Sequence, residues 1–115
     1  YVRALDTGHI LLKSYKMKKD QLAISENLVP TGQPGQLIDE INEKYPHLEN
    51  IAIIGHEPNL SNIISELLAG DTLLSIELKK GGVCCLNANN LFHKHRATLE
   101  WLMMPKHLIA LGNME

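Results

Sequence analysis

The sequence predicts an α/β fold, and three observations carry that prediction. Apolar residues recur at helical spacing in several segments, whereas residues 51–54 form a continuous apolar run rich in β-branched side chains. Such a run is typical of a central strand buried on both faces. Helix and strand patterns alternate early in the chain, and strands follow one another late. We therefore expect a three-layer α/β/α sandwich with a mostly parallel sheet and an antiparallel edge.

The predicted elements follow the order α β α β α β β β α. The helices cover residues 1–16, 36–43, 58–69 and 105–111, and the strands cover residues 21–24, 51–54, 74–78, 83–86 and 97–103. Pro46 ends the second helix, because the residue before a proline disfavours helical geometry. Pro58 suits the first position of the third helix and Gly70 its end. Turns are expected at Gly81 and Gly82 and over residues 87–90.

Composition indicates a soluble globular chain, and we treat residues 1–115 as a single domain. The 115 residues are 44% apolar and 21% charged, which suits one hydrophobic core. A net charge of −2 gives no basic surface for nucleic acid, so no such partner is expected. Apolar stretches are too short to span a bilayer and no signal peptide opens the chain, so no membrane partner is expected either.

The two cysteines, Cys84 and Cys85, are adjacent in the sequence. Neighbours on a strand point to opposite faces, so the two thiols are poorly placed to form a disulfide with each other. A vicinal redox pair or a soft metal site is the functional alternative to two small, half-buried strand residues. Thiols outside a disulfide framework indicate a reducing compartment, so a cytoplasmic location is predicted.

The strongest site candidate is His56, in the turn between the 51–54 run and the third helix. Ligands of open α/β sheets bind beyond the carboxyl ends of the strands. The following helix is expected to present free N–H groups and its positive dipole end, which favour an anion such as phosphate. A histidine there can hold or transfer charge to an oxyanion. The alternative is a turn histidine with no chemical role.

Arg3 is the second candidate, because an arginine in the first turn of a helix opposes the helix dipole. Its guanidinium could grip a bound anion with two hydrogen bonds, or it could be a solvated surface residue. His93 and His95 have a His-x-His spacing that could ligate a metal, but a polar turn explains them more simply. We expect neither a metal nor a cofactor.

Several segments resemble the histidine phosphatase superfamily (phosphoglycerate mutase-like), particularly its small SixA-like phosphohistidine phosphatases. Residues 51–60, Ile-Ala-Ile-Ile-Gly-His-Glu-Pro-Asn-Leu, are similar to that family's second catalytic segment. Residues 1–7, Tyr-Val-Arg-Ala-Leu-Asp-Thr, look like the continuation of its Ser-Pro-x-x-Arg-Ala segment. Residues 26–30 and 78–82 also fall where similar stretches occur. The resemblance covers essentially the whole chain.

The resemblance implies a metal-independent phosphatase that passes a phosphoryl group through a covalent phosphohistidine to water. Arg3 would bind the phosphoryl oxygens, His56 would stabilise the transferring group, and Glu26 lies near where some relatives place a proton-donating carboxylate. The implied substrate is phosphohistidine on a phosphotransfer or signalling protein. The alternatives are a small-molecule phosphomonoesterase of the same superfamily and a non-catalytic phosphate-binding or interaction module.

One departure from the family is clear. None of the six histidines follows an arginine and precedes a glycine, so the Arg-His-Gly motif that supplies the family's nucleophile has no match here. The resemblance then implies an N-terminally truncated domain that is inactive by itself and lacks a central strand. Exposed sheet edges would in that case favour a homodimer formed by strand exchange.

Overall fold

The computed structural model describes residues 2–88 and 97–114, and its α-helices lie where the sequence predicts them. They are α1 (Val2–Ser14), α2 (Pro34–Lys44), α3 (Asn59–Ala69) and α4 (Pro105–Gly112), joined in part by 3-10 turns at Lys19–Gln21 and Glu26–Leu28. Each predicted helix is confirmed within two residues at either end.

Proline and glycine mark the ends of these helices. Pro34 and Pro105 stand at the starts of α2 and α4, where the missing N–H would have no partner within the helix. Gly70 closes α3 in the left-handed conformation, with φ of 82°, and its N–H donates to the carbonyl of Glu66 at 2.9 Å. Pro58 caps α3 and so precedes the first helical position that we predicted for it.

The sheet in the described part of the chain is an antiparallel pair, β1 (Val83–Asn87) and β2 (Thr98–Met103). Cys85 lies opposite Trp101, whereas Leu86 lies opposite Leu99, so the register shifts by one residue between these pairs. The two last predicted strands and their antiparallel pairing are confirmed. The predicted 87–90 turn falls only partly within the described residues, and His93 and His95 lie outside them.

Three predicted strands, at residues 21–24, 51–54 and 74–78, are not strands in the described structure. Residue 21 belongs to a 3-10 turn, and the rest is irregular chain. A strand needs a neighbouring segment to bind its N–H and C=O groups, and residues 51–54 have no backbone hydrogen bond within the described chain. The parallel part of the expected sheet is therefore not formed among these residues. A mixed helix and strand architecture is confirmed, and the three-layer arrangement stays a prediction.

The core lies between α2 and α3. Its buried apolar side chains are Leu37, Ile38, Ile41, Ile63, Leu67 and Ala97. Ile53 packs against this cluster, so the chain that leads to His56 is attached to the core at that point. Helix α1 lies beside the same segment, because a Cβ at Gly8 would be 3.8 Å from Ile54 and 3.0 Å from Leu22. The core and α1 together fix the approach to the His56 turn.

The cysteines are half-buried on β1 with free thiols. Burial, with a smaller contribution from Cys85, raises the pKa of the Cys84 thiol. A raised pKa lowers the thiolate fraction, which disfavours the redox interpretation of the pair.

Within residues 2–88 and 97–114, no helix is long and apolar enough to cross a membrane.

Candidate functional site

His56 lies in the short turn that joins the 51–54 segment to α3. The residue is half-buried, its Nε2 atom is buried, and its carbonyl accepts a hydrogen bond from the N–H of Leu60 at 3.3 Å. The Glu57–Pro58 peptide bond that follows is cis. The burial of Nε2 and the hydrogen bond to the His56 carbonyl place the imidazole against the protein, in the turn before α3 that the sequence predicts.

His56 lines a mostly apolar groove of about 330 Å³. The other walls come from the first turn of α1, from residues 22–25, from the loop after them and from the 51–54 segment. The lining residues are Val2, Ala4, Leu5, Leu22, Ala23, Ile24, Ser25, Leu28, Val29, Ala52, Ile54 and Gly55. An imidazole at the edge of such a groove is partly shielded from water, which strengthens a hydrogen bond from it to an anion.

The loop over residues 25–32 lies close to the His56 turn. The carbonyl oxygen of Leu28 lies 3.1 Å from where a Cβ would stand on Gly55. A side chain at Gly55 would push the loop away, so glycine permits this contact. Leu28 and Val29 thereby form a wall of the groove beside the imidazole.

The expectation of free N–H groups at the start of α3 is wrong for three of its first four residues. The N–H groups of Leu60, Ser61 and Asn62 donate to the His56 carbonyl, the Glu57 carboxylate and the Pro58 carbonyl, at 3.3, 2.7 and 3.1 Å. The Ser61 hydroxyl also donates to the Glu57 carboxylate. Glu57 therefore supplies the negative charge that the helix dipole favours, and a second anion must be held mainly by side chains.

Arg3 and Glu26 lie near the groove without lining it. Arg3 is exposed in the first turn of α1, between Val2 and Ala4, which both line the groove. Glu26 is exposed at the start of the Glu26–Leu28 turn, next to Ser25, which also lines it. The structure thus brings the chain around both residues to the groove that contains His56, and it places their side chains at the surface.

A polar cluster that the sequence did not predict fixes the loop on the side of α2. The Ser25 hydroxyl and the Asn27 side-chain amide donate to Oε1 of Glu40, at 2.5 and 2.7 Å. The pKa of the Glu40 carboxyl lies below its ordinary value, mainly because of the hydrogen bond from Ser25. Asn27 and Lys44 lower this pKa further, and burial opposes them. The ionised form of Glu40 is therefore the one that holds the loop.

Asn59 fixes the same loop on the side of α3. Its Nδ2 atom donates to the carbonyls of Asn27 and Val29, at 2.8 Å each. An asparagine at the start of a helix signals a cap in a sequence. Its actual partners lie 32 and 30 residues earlier in the chain, and no local pattern indicates them.

Among the described residues, no group of three or more His, Cys, Asp or Glu side chains could hold a metal ion.

Comparison with known proteins gives a match in structure. No protein-family model matches the chain, and no curated protein matches it. A solved structure of "the protein histidine phosphatase SixA complexed with tungstate" matches 74% of this chain with a TM-score of 0.56 and 19% identity. The match covers 52% of that protein, so this chain spans about half of its length.

The match shows that the described fold is similar to that of a histidine phosphatase. This agrees with the α/β class and with the fold that the resemblance of residues 51–60 implies. At 19% identity the likeness concerns the fold, and the roles of His56, Arg3 and Glu26 remain predictions.

Proposed function

We propose that the chain belongs to a phosphatase that removes the phosphoryl group from phosphohistidine on a phosphotransfer or signalling protein. The observation that carries this proposal is the position of His56. It is half-buried in the turn before α3 and lines a groove, on a fold similar to that of a histidine phosphatase solved with the oxyanion tungstate. A phosphoryl group has the charge and shape that such a position would accept.

In the proposed reaction, the bond from phosphorus to the substrate's histidine nitrogen breaks as phosphorus bonds to a nucleophilic histidine nitrogen. The departing imidazole takes up a proton. Water then attacks phosphorus, inorganic phosphate leaves, and the nucleophile is regenerated. His56 would donate a hydrogen bond to the phosphoryl oxygens in both steps, and Arg3 would add positive charge from the first turn of α1. Glu26 is the carboxylate that we assign as proton donor, from the surface beside Ser25.

The groove supports the proposal by its lining. Its walls are mostly apolar, so few polar groups compete with His56 for the anion. The Glu57 carboxylate and the carbonyls of His56 and Pro58 already accept the N–H groups of Ser61, Leu60 and Asn62, so side chains must supply most of the binding. We therefore expect His56 to bind the anion by donating an imidazole N–H to it.

A non-catalytic phosphate-binding module is the second candidate. The observation that favours it is the lack of an Arg-His-Gly match among the six histidines, since this motif supplies the nucleophile in the family that the sequence resembles. On either proposal, we expect the 115 residues alone to bind phosphate without turnover.

The test compares the chain with its His56→Ala and His47→Ala variants. His47 is an exposed histidine between α2 and the 51–54 segment, so it is the matched control. Loss of one charged hydrogen bond, about 1.5–3 kcal/mol, should weaken binding of phosphate or tungstate by about tenfold or more in His56→Ala. His47→Ala should bind like the parent chain, measured by calorimetry.

Equal affinity of His56→Ala and the parent would remove His56 from the site and end the proposal. Turnover separates the two candidates. The natural full-length protein is assayed with a phosphohistidine protein as substrate. Release of phosphate would support the phosphatase, and binding without release would support the binding module.

A further inference from the structure

Asn59 is a fully buried polar side chain beside the His56 turn. It begins α3, three residues after His56, and it is 0% exposed. Its Nδ2 atom carries two hydrogens, and both are used in the bonds to the Asn27 and Val29 carbonyls. Asn59 therefore connects the start of α3 with the loop that faces His56.

Stability alone does not account for an asparagine at this position. Its Oδ1 atom is buried and has no hydrogen-bond partner among the described residues. A buried acceptor without a partner destabilises the folded state, whereas an apolar side chain of similar size would not. An apolar side chain could not hold two carbonyls in place, so the contribution of Asn59 is the loop geometry that its amide imposes.

The loop held by Asn59 is a wall of the groove. Leu28, which lies between the two acceptor residues, lines the groove together with His56. The Leu28 carbonyl also approaches Gly55, the residue before His56, to 3.1 Å from the position of a Cβ. A shift of this loop would therefore change the distance between the wall and the imidazole.

We propose that Asn59 is a positioning residue for the anion site. Its amide fixes residues 27–29 against the His56 turn and thereby sets how closely a phosphate can approach the imidazole. This inference rests on the proposed function, in which His56 binds the phosphoryl group. Glu40 holds the same loop against α2. Asn59 is the residue that attaches this loop to the start of α3, beside the His56 turn.

The main test is Asn59→Asp with Asn62→Asp as its matched control. An aspartate has nearly the same shape as asparagine, but its carboxylate cannot donate and would repel the two carbonyls. We expect phosphate binding about tenfold or more weaker in Asn59→Asp, with a shifted NMR signal of the His56 ring in the free protein. Asn62 lies half-buried on the same helix, and its variant should stay within about twofold of the parent.

Two further variants keep the test decisive if Asn59→Asp does not fold. In Gly32→Ala, the new Cβ would overlap the Asn27 carbonyl oxygen and lie 2.5 Å from Nδ2 of Asn59, so the loop must move while Asn59 is retained. In Asn59→Ser, a shorter side chain with one hydroxyl donor and no charge replaces the amide. Both variants should weaken phosphate binding, Asn59→Ser less than Asn59→Asp. A folded variant of the three that keeps parental affinity and an unshifted His56 signal would overturn the inference.

Failure of the proposed function would give a different result. In that case the parent chain would not bind phosphate, or His56→Ala would bind it equally well. The His56 ring signal of the free Asn59→Asp protein would then decide the positioning role by itself. A shift larger than that in Asn62→Asp would support the role, and an unchanged signal would overturn it.

Discussion

Two regions of the molecule differ in where their backbone hydrogen bonds are made. One is the packed region around α2 and α3, and the other consists of the irregular segments beside α1, residues 22–24 and 51–54. Helices α2 and α3 make most of these bonds within each helix, and they bury Leu37, Ile38, Ile63 and Leu67 against each other. Residues 51–54 are apolar throughout but have no backbone ladder in the described chain. An apolar sequence therefore does not form a strand by itself, because a strand depends on a second segment and a helix does not.

The candidate site lies between the two regions. His56 follows the irregular 51–54 segment and precedes the packed helix α3 by the residues of one turn. The 25–32 loop joins the two by contacting Gly55 on one side and Glu40 on the other. We infer that the packed region determines the position of His56, and three predictions test the difference between the regions.

The largest effect is expected from a cavity in the packed region. Ile38 is 1% exposed in α2, and Ile38→Ala should lower the free energy of unfolding by about 2–5 kcal/mol. Ile10, which is 64% exposed in α1, is the control, and Ile10→Ala should change it by no more than about 0.5 kcal/mol. Urea denaturation followed by circular dichroism measures both. Equal losses in the two variants would contradict the assignment of the core.

The next effect concerns self-association through the irregular segments at residues 22–24 and 51–54. Ile24 and Ile51 are 81% and 42% exposed, and an unpaired extended segment can pair with a second chain, so we predict a homodimer. Ala52→Pro removes one N–H from the 51–54 segment and should weaken dimerisation by about tenfold or more. Ala52→Val keeps the N–H and should dimerise like the parent chain. Sedimentation velocity decides, and a monomeric parent at all concentrations would refute this prediction.

The smallest effect is the loss of folding stability in acid that protonation of Glu40 causes. Its pKa in the folded protein lies below the ordinary value of 4.5, so the folded state favours the ionised form. This stabilisation is complete above the ordinary pKa and is lost as the pH falls through the folded pKa. Unfolding free energies measured from neutral pH down to pH values below 4.5 should therefore fall less steeply in Glu40→Gln than in the parent.

The control for this prediction is Glu43→Gln, because Glu43 is exposed on the same helix. This variant should keep the acid dependence of the parent chain. A Glu40→Gln profile that runs parallel to that of the parent would show that the bonds from Ser25 and Asn27 do not stabilise the folded state.

The sequence by itself determined the helices and their ends. Helical hydrogen bonds join residues four apart, so apolar spacing together with Pro34, Pro105 and Gly70 contains the needed information. It also determined that His56 stands in the turn before α3, since that position follows from the order of neighbouring patterns. The antiparallel pairing of β1 and β2 was predictable for a similar reason, because the two strands follow one another in the sequence.

Tertiary structure decided which apolar runs became strands and what surrounds His56. Strand formation at residues 51–54 depends on a partner segment, which hydrophobicity does not specify. The capping of α3 by Glu57 depends on the path of the turn, although the two are close in sequence. The bonds from Asn59 and to Glu40 join residues 13 to 32 positions apart, so only the folded chain brings them together.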